Sequence, residues 1–211
     1  MIRFYYGSGS PFSWRVQLVL EEKALPYEPV LLSFAKGEVK SPEHLARHPH
    51  GKVPALTDDG LTLYESSAIV EYLEEKYPEP PLMPGGAAAR ALVRIEELEC
   101  LEYFARVFLT LARQVFFSPP ERRDAEAVAA AGAQLGGELD RLEHRAAGRR
   151  GSFVAGGALS RADLTWLPFV EIAARAKVDL DAARMPWLCA WRARMRARPT
   201  YERSYPPHWR G

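Results

Sequence analysis

The stretch His48-Pro49-His50-Gly51-Lys52-Val53-Pro54-Ala55-Leu56 decides how the first part of the chain is read. Val53-Pro54-Ala55-Leu56 enters an apolar run with strand character, yet proline cannot donate to a β-ladder. A cis peptide bond before Pro54 resolves the conflict. It turns the chain and leaves the Val53 N–H and C=O facing outward. Such an edge can pair with an extended ligand. Taken alone, a Val-Pro step is an ordinary edge-strand feature.

Working outward, Val53 to Thr57 and Leu61 to Tyr64 read as short strands around the turn signal Asp58-Asp59-Gly60. Glu65 to Tyr77 reads as a helix with Ile69, Val70, Tyr72 and Leu73 in its apolar pattern. Upstream, Ile2 to Tyr6 is a β-branched and aromatic run ending at Gly7-Ser8-Gly9-Ser10-Pro11, a strand followed by a turn. Ser13 to Ala24 has helical spacing, Pro26 stops it, and Tyr27 to Leu32 is a second strand. Ser41-Pro42-Glu43 marks a short helix, with serine as cap and proline in the first turn. The order βαβ, β-hairpin, α is that of a small thioredoxin-like α/β domain, with a right-handed βαβ crossover.

Pro78, Pro80, Pro81 and Pro84 with Gly85 and Gly86 form a linker through which no helix persists. The expected organisation is therefore a domain over 1–78, a linker over 79–86 and an all-helical bundle over 87–211. Its helices are expected at Ala87 to Phe117, Pro119 to Ala147, Arg161 to Ala176 and Met185 to Ala197. Ser160-Arg161-Ala162-Asp163 is a capping box with Asp in place of Glu, and Leu159 is poised to staple onto Leu164.

With 211 residues, 47% of them hydrophobic, the chain can fill two modest cores. Its 28 Lys plus Arg oppose 27 Asp plus Glu, so a net charge of +1 supplies no field for nucleic acid or an anionic membrane. Arg192, Arg194, Arg196 and Arg198 read as a solvated helix end rather than a phosphate-binding stripe. Cys100 and Cys189 lie in apolar surroundings, read as buried thiols, and match no metal-ligand spacing. No apolar run has the length of a membrane span and no signal peptide opens the chain, so a cytoplasmic protein without a metal is expected.

Eleven residues beyond Pro54 stands Glu65-Ser66-Ser67, directly before a helix. Serine at a helix start offers a hydroxyl and N–H groups that suit a carboxylate, though the same serine caps any helix. Glu65 suits a cationic amine. Together with the outward edge at Val53, these groups describe a clamp for a small zwitterionic peptide.

His-Pro-x-Gly-Lys-Val-Pro-Ala-Leu followed by Glu-Ser-Ser-Ala-Ile resembles the glutathione-binding half of cytosolic glutathione transferases. Gly7 to Val16 resembles that family's first strand-to-helix turn, and Leu159 to Leu164 its second-domain capping motif. The likeness covers essentially the whole chain. It implies that Val53 pairs with the cysteinyl part of glutathione, that Pro54 is the cis proline, and that Glu65 and Ser66 hold the γ-glutamyl end. Lys52, with His50 or Lys40, would lie toward the glycyl carboxylate. Where many relatives have Asn, this chain has His48.

The same resemblance, to classes that use serine, points to Ser10 as the catalytic hydroxyl; Phe12 beside it would touch glutathione or the second substrate. A thiol with an ordinary pKa of about 8.5 is mostly protonated at neutral pH. A hydroxyl donor and a helix N-terminus aimed at the sulfur favour the thiolate. Ser8 and Ser13 compete with Ser10, Ser13 as helix cap or first-turn residue, and Tyr5 or Tyr6 would serve in a tyrosine-using class. The zeta class shares Ser-Trp-Arg-Val but has Ser-Cys where this chain has Pro11-Phe12, which weighs against zeta-type isomerisation. Serine in place of an omega-like cysteine weighs against thiol exchange.

The resemblance further implies attack by glutathione on an electrophilic, hydrophobic second substrate held between the domains, with Tyr103, Arg106 and Phe116 as candidate lining. It also implies a homodimer. Two alternatives share the half-site: a glutathione-dependent isomerase or dehalogenase, and a non-catalytic ligand-binding or regulatory protein.

Overall fold

A computed structural model describes residues 1–210. The chain divides into two compact units, Met1–Leu82 with the chain from Ala197 onward, and Met83–Arg196. The expected boundaries put everything from 87 to 211 together; the packing instead assigns the last residues to the first unit.

The first unit is built on a four-stranded sheet of β1 (Ile2–Tyr6), β2 (Tyr27–Leu31), β3 (Ala55–Asp58) and β4 (Leu61–Tyr64), in the order β2-β1-β3-β4. β1 and β2 are parallel, and the other neighbours are antiparallel. Period-two alternation divides the side chains of β1 between two faces. Phe4 stacks on Tyr6 and meets the edge of Tyr27, whereas Tyr5 lies beneath Arg47 and beside His44 of α2 (Pro42–Arg47). The order is that of the expected thioredoxin-like domain.

α1 (Pro11–Glu22) begins two residues earlier than its apolar spacing suggests, because Ser10 and not Ser13 is the N-cap. Pro11 takes the first helical position, where a missing N–H costs nothing. The helix buries Trp14, Val16, Leu18, Val19 and Leu20 and packs against α3 (Ser66–Lys76). At its far end the buried Lys23 ammonium pairs with Glu74 at 2.8 Å and donates to the carbonyls of Tyr77 and Pro80. β3 starts at Ala55, two residues later than expected, so Val53 and Pro54 precede the ladder.

α9 (Pro199–Ser204) lies along α1. Arg198 pairs with Glu22 at 2.6 Å, Arg203 with Glu21 at 2.7 Å, and the Trp14 indole donates to Ser204 Oγ at 2.9 Å. These bonds hold the C-terminal segment on the first unit.

The second unit is helical: α4 (Ala87–Leu98), α5 (Ala105–Phe116), α6 (Ala125–Gly148), α7 (Arg161–Arg175) and α8 (Pro186–Arg196). The single helix expected over 87–117 is α4 and α5 joined by wider π-type turns at Glu99–Phe104. α7 is buried on nearly every side, which suits its run of Leu164, Trp166, Leu167, Phe169 and Val170. The capping box forms as expected, and Asp163 has further duties. It accepts from Ser160 N–H and Oγ (both 2.9 Å), from Val154 N–H (2.8 Å) and from the Trp191 indole (2.8 Å).

The arginine run is only in part the expected solvated helix end: Arg194 and Arg196 are exposed, whereas Arg192 and Arg198 are half-buried. Arg192 and Arg196 converge on buried Glu171, Arg194 donates to the Ser152 carbonyl, and Arg198 is committed to Glu22. Of the two cysteines, Cys100 is buried as expected while Cys189 is half-buried, its thiol pushed up by burial. Among the described residues no helix is long and apolar enough to cross a membrane, and no group of side chains could hold a metal ion.

Candidate active site

Strand register brings the motif residues together. Ala55 pairs with Tyr64 across the hairpin, so the residues just outside the ladder, Pro54 and Glu65, face each other at the same end. Tyr5 pairs with Ala55, which carries Gly7 to Val53; a Cβ on Gly7 would stand 3.1 Å from Val53 Cγ2. Three segments distant in sequence, Gly7–Ser10, Val53–Pro54 and Glu65–Ser67, therefore share one end of the sheet. The N-termini of α1 and α3 open there too, adding partial positive charge and N–H donors.

The Val53–Pro54 peptide is cis, the solution offered above and the one the resemblance implies. Gly51 turns the chain ahead of it at φ 56°, and a Cβ there would lie 2.7 Å from the Val39 carbonyl oxygen. That close approach, together with the left-handed φ, explains glycine at this point of the motif. Lys40 reaches over the same turn and donates to the His50 carbonyl at 2.8 Å. The exposed Lys52 has its carbonyl held by His44 Nε2 at 2.7 Å, which fixes the proton of that imidazole on Nε2. His48, in the place of the relatives' Asn, is buried against Tyr64 with ring centroids 4.9 Å apart. Burial pushes the His48 imidazole pKa down, against the pull of Glu65.

Glu65 precedes α3 with φ 68° and ψ 114°, a left-handed conformation that costs a non-glycine residue on the order of 1–3 kcal/mol. Strain of that kind persists where the surroundings over-determine it. Next to it, Ser66 and Ser67 both accept from one buried guanidinium, Arg15 Nη1, at 3.1 Å each. Arg15 was not singled out by sequence reasoning. Its signal is a cation between Trp14 and Val16 at the start of a largely apolar run, where a charge is costly unless a polar partner waits.

Ser10 caps α1 by accepting from Ser13 N–H at 3.3 Å. A capping hydroxyl spends a lone pair and keeps its proton, so Ser10 can still donate outward. Of its competitors, Ser13 is buried and accepts from the Gly7 N–H at 3.4 Å, and Ser8 is bonded to His208 at 2.7 Å. Tyr5 is buried under the Arg47 guanidinium, 4.4 Å from its ring centre, on the side of the sheet that α2 covers. Phe12 sits in the first turn of α1, half-buried. A cleft of about 260 Å³ runs beside Ser8, Gly9 and Ser10, walled by Trp14, Tyr27 and Tyr205.

Tyr103, Arg106 and Phe116 belong to the second unit, on the π-type segment and α5, and all are exposed; Arg106 is paired with Glu102 one turn away. The C-terminal residues His208 and Trp209, which sequence reading passed over, lie against the Ser8–Gly9 loop.

A thioredoxin-like sheet with a cis-proline edge, followed by a helical unit, defines a two-unit protein of the glutathione-handling class. Residues 4–81 match the model for the glutathione S-transferase N-terminal domain, and residues 104–199 that for the C-terminal domain. Glutathione S-transferase A of Pleuronectes platessa is 36% identical over 97% of this chain and 91% of its own length. Maleylacetoacetate isomerase of Mus musculus is 34% identical over 82% of this chain and 78% of its own. Among solved structures, the theta class glutathione S-transferase of Xanthomonas axonopodis pv. citri with glutathione bound superposes with a TM-score of 0.86. It is 32% identical, over 96% of each chain. The chain belongs to the glutathione S-transferase family, enzymes for which glutathione is the co-substrate.

Proposed function

We propose that the chain binds glutathione at this end of the sheet and ionises its thiol against Ser10, for attack on an electrophilic carbon of a small hydrophobic compound. The observation that carries this reading is the convergence of the Val53 edge, the Glu65–Ser67 helix start and the Ser10 cap on one strand end. Val53 pairs with the cysteinyl backbone, Glu65 takes the γ-glutamyl amine, and Ser66 its carboxylate. Lys52, Lys40 and His50 supply the basic side for the glycyl carboxylate, and Phe12 lies beside the sulfur. Glutathione is the nucleophile, and the protein shifts its proton equilibrium. One unit of thiol pKa corresponds to about 1.4 kcal/mol, within the reach of a single charge-assisted hydrogen bond.

The second substrate meets a surface that includes the aromatic rings of Tyr103 and Phe116 and the cation of Arg106, and the working form is a cytoplasmic homodimer. A role in detoxification follows from the chemistry. The test is thiolate difference absorbance during glutathione titration near pH 7, with Ser10→Ala alongside. A saturable band in the wild type that the variant loses supports the reading. Calorimetric binding without a band would favour a non-catalytic ligand-binding protein, and no response in either would sink glutathione binding itself.

Likeness to the mouse isomerase favours a second reading, glutathione-dependent isomerisation at the same half-site. Pro11-Phe12 in place of the zeta-class Ser-Cys pair weighs against it. Turnover of a cis-alkenyl diketo acid without consumption of glutathione would favour the isomerase.

A further inference from the structure

We infer that His208, in the C-terminal strap, is a positioning residue for Ser10, acting through Ser8 and Gly9. The inference rests on the reading of Ser10 as the hydroxyl that stabilises the thiolate.

A donor aimed at a thiolate is effective only while held in place, and a misplacement of about 1 Å can cost a hundredfold in rate. The loop that carries Ser10 is poorly suited to hold itself. It contains Gly7 and Gly9, the latter at φ 81°, and glycine gives up more conformational freedom on ordering than any other residue. From within, it is tied by a Ser10 N–H bond to the Gly7 carbonyl at 3.1 Å and by the cap bond at 3.3 Å. Gly7 N–H also donates to Ser13 Oγ at 3.4 Å, and a further restraint comes from 200 residues away in sequence. Ser8 Oγ and His208 Nδ1 are 2.7 Å apart, a short bond whichever of the two donates.

The contact is more than one bond. A Cβ on Gly9 would stand 3.2 Å from the Trp209 ring and 3.3 Å from the His208 ring, so the strap lies directly on the loop and would have to give by a few tenths of an ångström to admit a side chain. The strap in turn is built on α1, the helix that Ser10 caps. The Trp209 ring stands edge-on to Trp14 at 5.6 Å and to Tyr205 at 5.8 Å, and Arg210 is held by the side chain and carbonyl of Glu202. Loop, helix and strap thus close a ring of contacts around Ser10, and His208 is its polar closure.

The test uses the full chain carrying His208→Ala, His208→Asn, Ser8→Ala and the double alanine variant. The readouts are the pH midpoint of bound-glutathione thiolate absorbance and the calorimetric Kd. His208→Ala and Ser8→Ala should each raise the midpoint by about half to one unit, a three- to tenfold loss of thiolate at fixed pH. Glutathione Kd should stay within about twofold, because the clamp at Val53, Glu65 and Ser66 is untouched. The double variant should be no worse than either single one. Asn puts an amide where Nδ1 stands and should restore most of the loss. Should His208→Ala melt early, Ser8→Ala, which removes the same bond from its other side, must still move the midpoint the same way. A wild-type midpoint in His208→Ala, with the band abolished in Ser10→Ala, overturns the inference alone. A band that survives Ser10→Ala removes the underlying reading and the inference with it.

Discussion

Arg15 and Ser66 stand 51 positions apart, and the buried guanidinium of the first donates to the hydroxyl of the second at 3.1 Å. Ser67 accepts from the same nitrogen. Each serine therefore has its lone pair engaged from behind and its proton available in front. A carboxylate arriving at the start of α3 meets hydroxyl donors backed by a cation, besides the helix N-terminus.

That arrangement predicts a selective loss in Arg15→Met. Glutathione Kd should rise about tenfold, the worth of one charge-assisted interaction. Cysteinylglycine, which lacks the γ-glutamyl carboxylate, should bind the variant as it binds the wild type. Calorimetry with both peptides, on protein whose thermal melt shows it folded, makes the comparison. Equal losses for both would leave Arg15 a packing residue only.

Ser10 carries two duties that substitution can separate. Ser10→Ala should lose about 1 kcal/mol of stability with the cap and about a hundredfold in turnover with the donor. Ser10→Asp keeps a good cap but places an anion where the thiolate forms. It should melt near the wild type and be at least as inactive as the alanine variant. Activity in Ser10→Asp would remove the serine from the chemistry.

Asp163 should matter far more to stability than a helix cap. Its carboxylate satisfies four donors in a buried site, including the Trp191 indole at 2.8 Å. Removing it strands those donors, so Asp163→Ala should cost about 3–5 kcal/mol, against about 1 kcal/mol for a cap alone. Urea midpoints measure this, and activity per folded molecule should be unchanged.

Acid sensitivity should trace in part to Asp58. Burial alone would raise its carboxyl, but bonds from Lys76 (2.7 Å), Tyr77 (2.8 Å) and Tyr72 (3.0 Å) outweigh burial and hold it below the ordinary range. A lowered carboxylate stabilises the fold above its unfolded pKa of about 3.9, and that contribution drains away as pH falls through the lower folded value. Stability measured from pH 6 down to pH 2 should therefore fall less steeply in Asp58→Asn than in the wild type. Parallel curves would exclude Asp58 as a source.

Much of this was legible in one dimension because it is local. The Val53-Pro54 step marks where a ladder cannot run through, Ser160 and Asp163 mark a helix start, and the prolines from Pro78 to Pro84 end one unit. Alternation in Ile2 to Tyr6 sets which side chains meet α2, and β-turn chemistry sets the hairpin register. From that register alone, Pro54 and Glu65 must come together. These features depend on backbone sterics and on hydrogen bonds spanning a few residues, so adjacent letters determine them.

What the letters could not decide depends on partners brought from afar. Arg15 reads as one more polar residue until α3 supplies two hydroxyls to it. The arginine run from Arg192 to Arg198 reads as solvated until Glu171 and Glu22 approach, and a buried carboxylate recruits every cation within reach. The segment after Arg196 is expected with the helical bundle, but its place on α1 is set by Glu21, Glu22 and Trp14 of the first unit. A bond between residues 200 positions apart, such as that of Ser8 with His208, leaves no periodic trace in sequence. It exists because tertiary packing pays the entropy of bringing the two ends together, and only the folded chain records that.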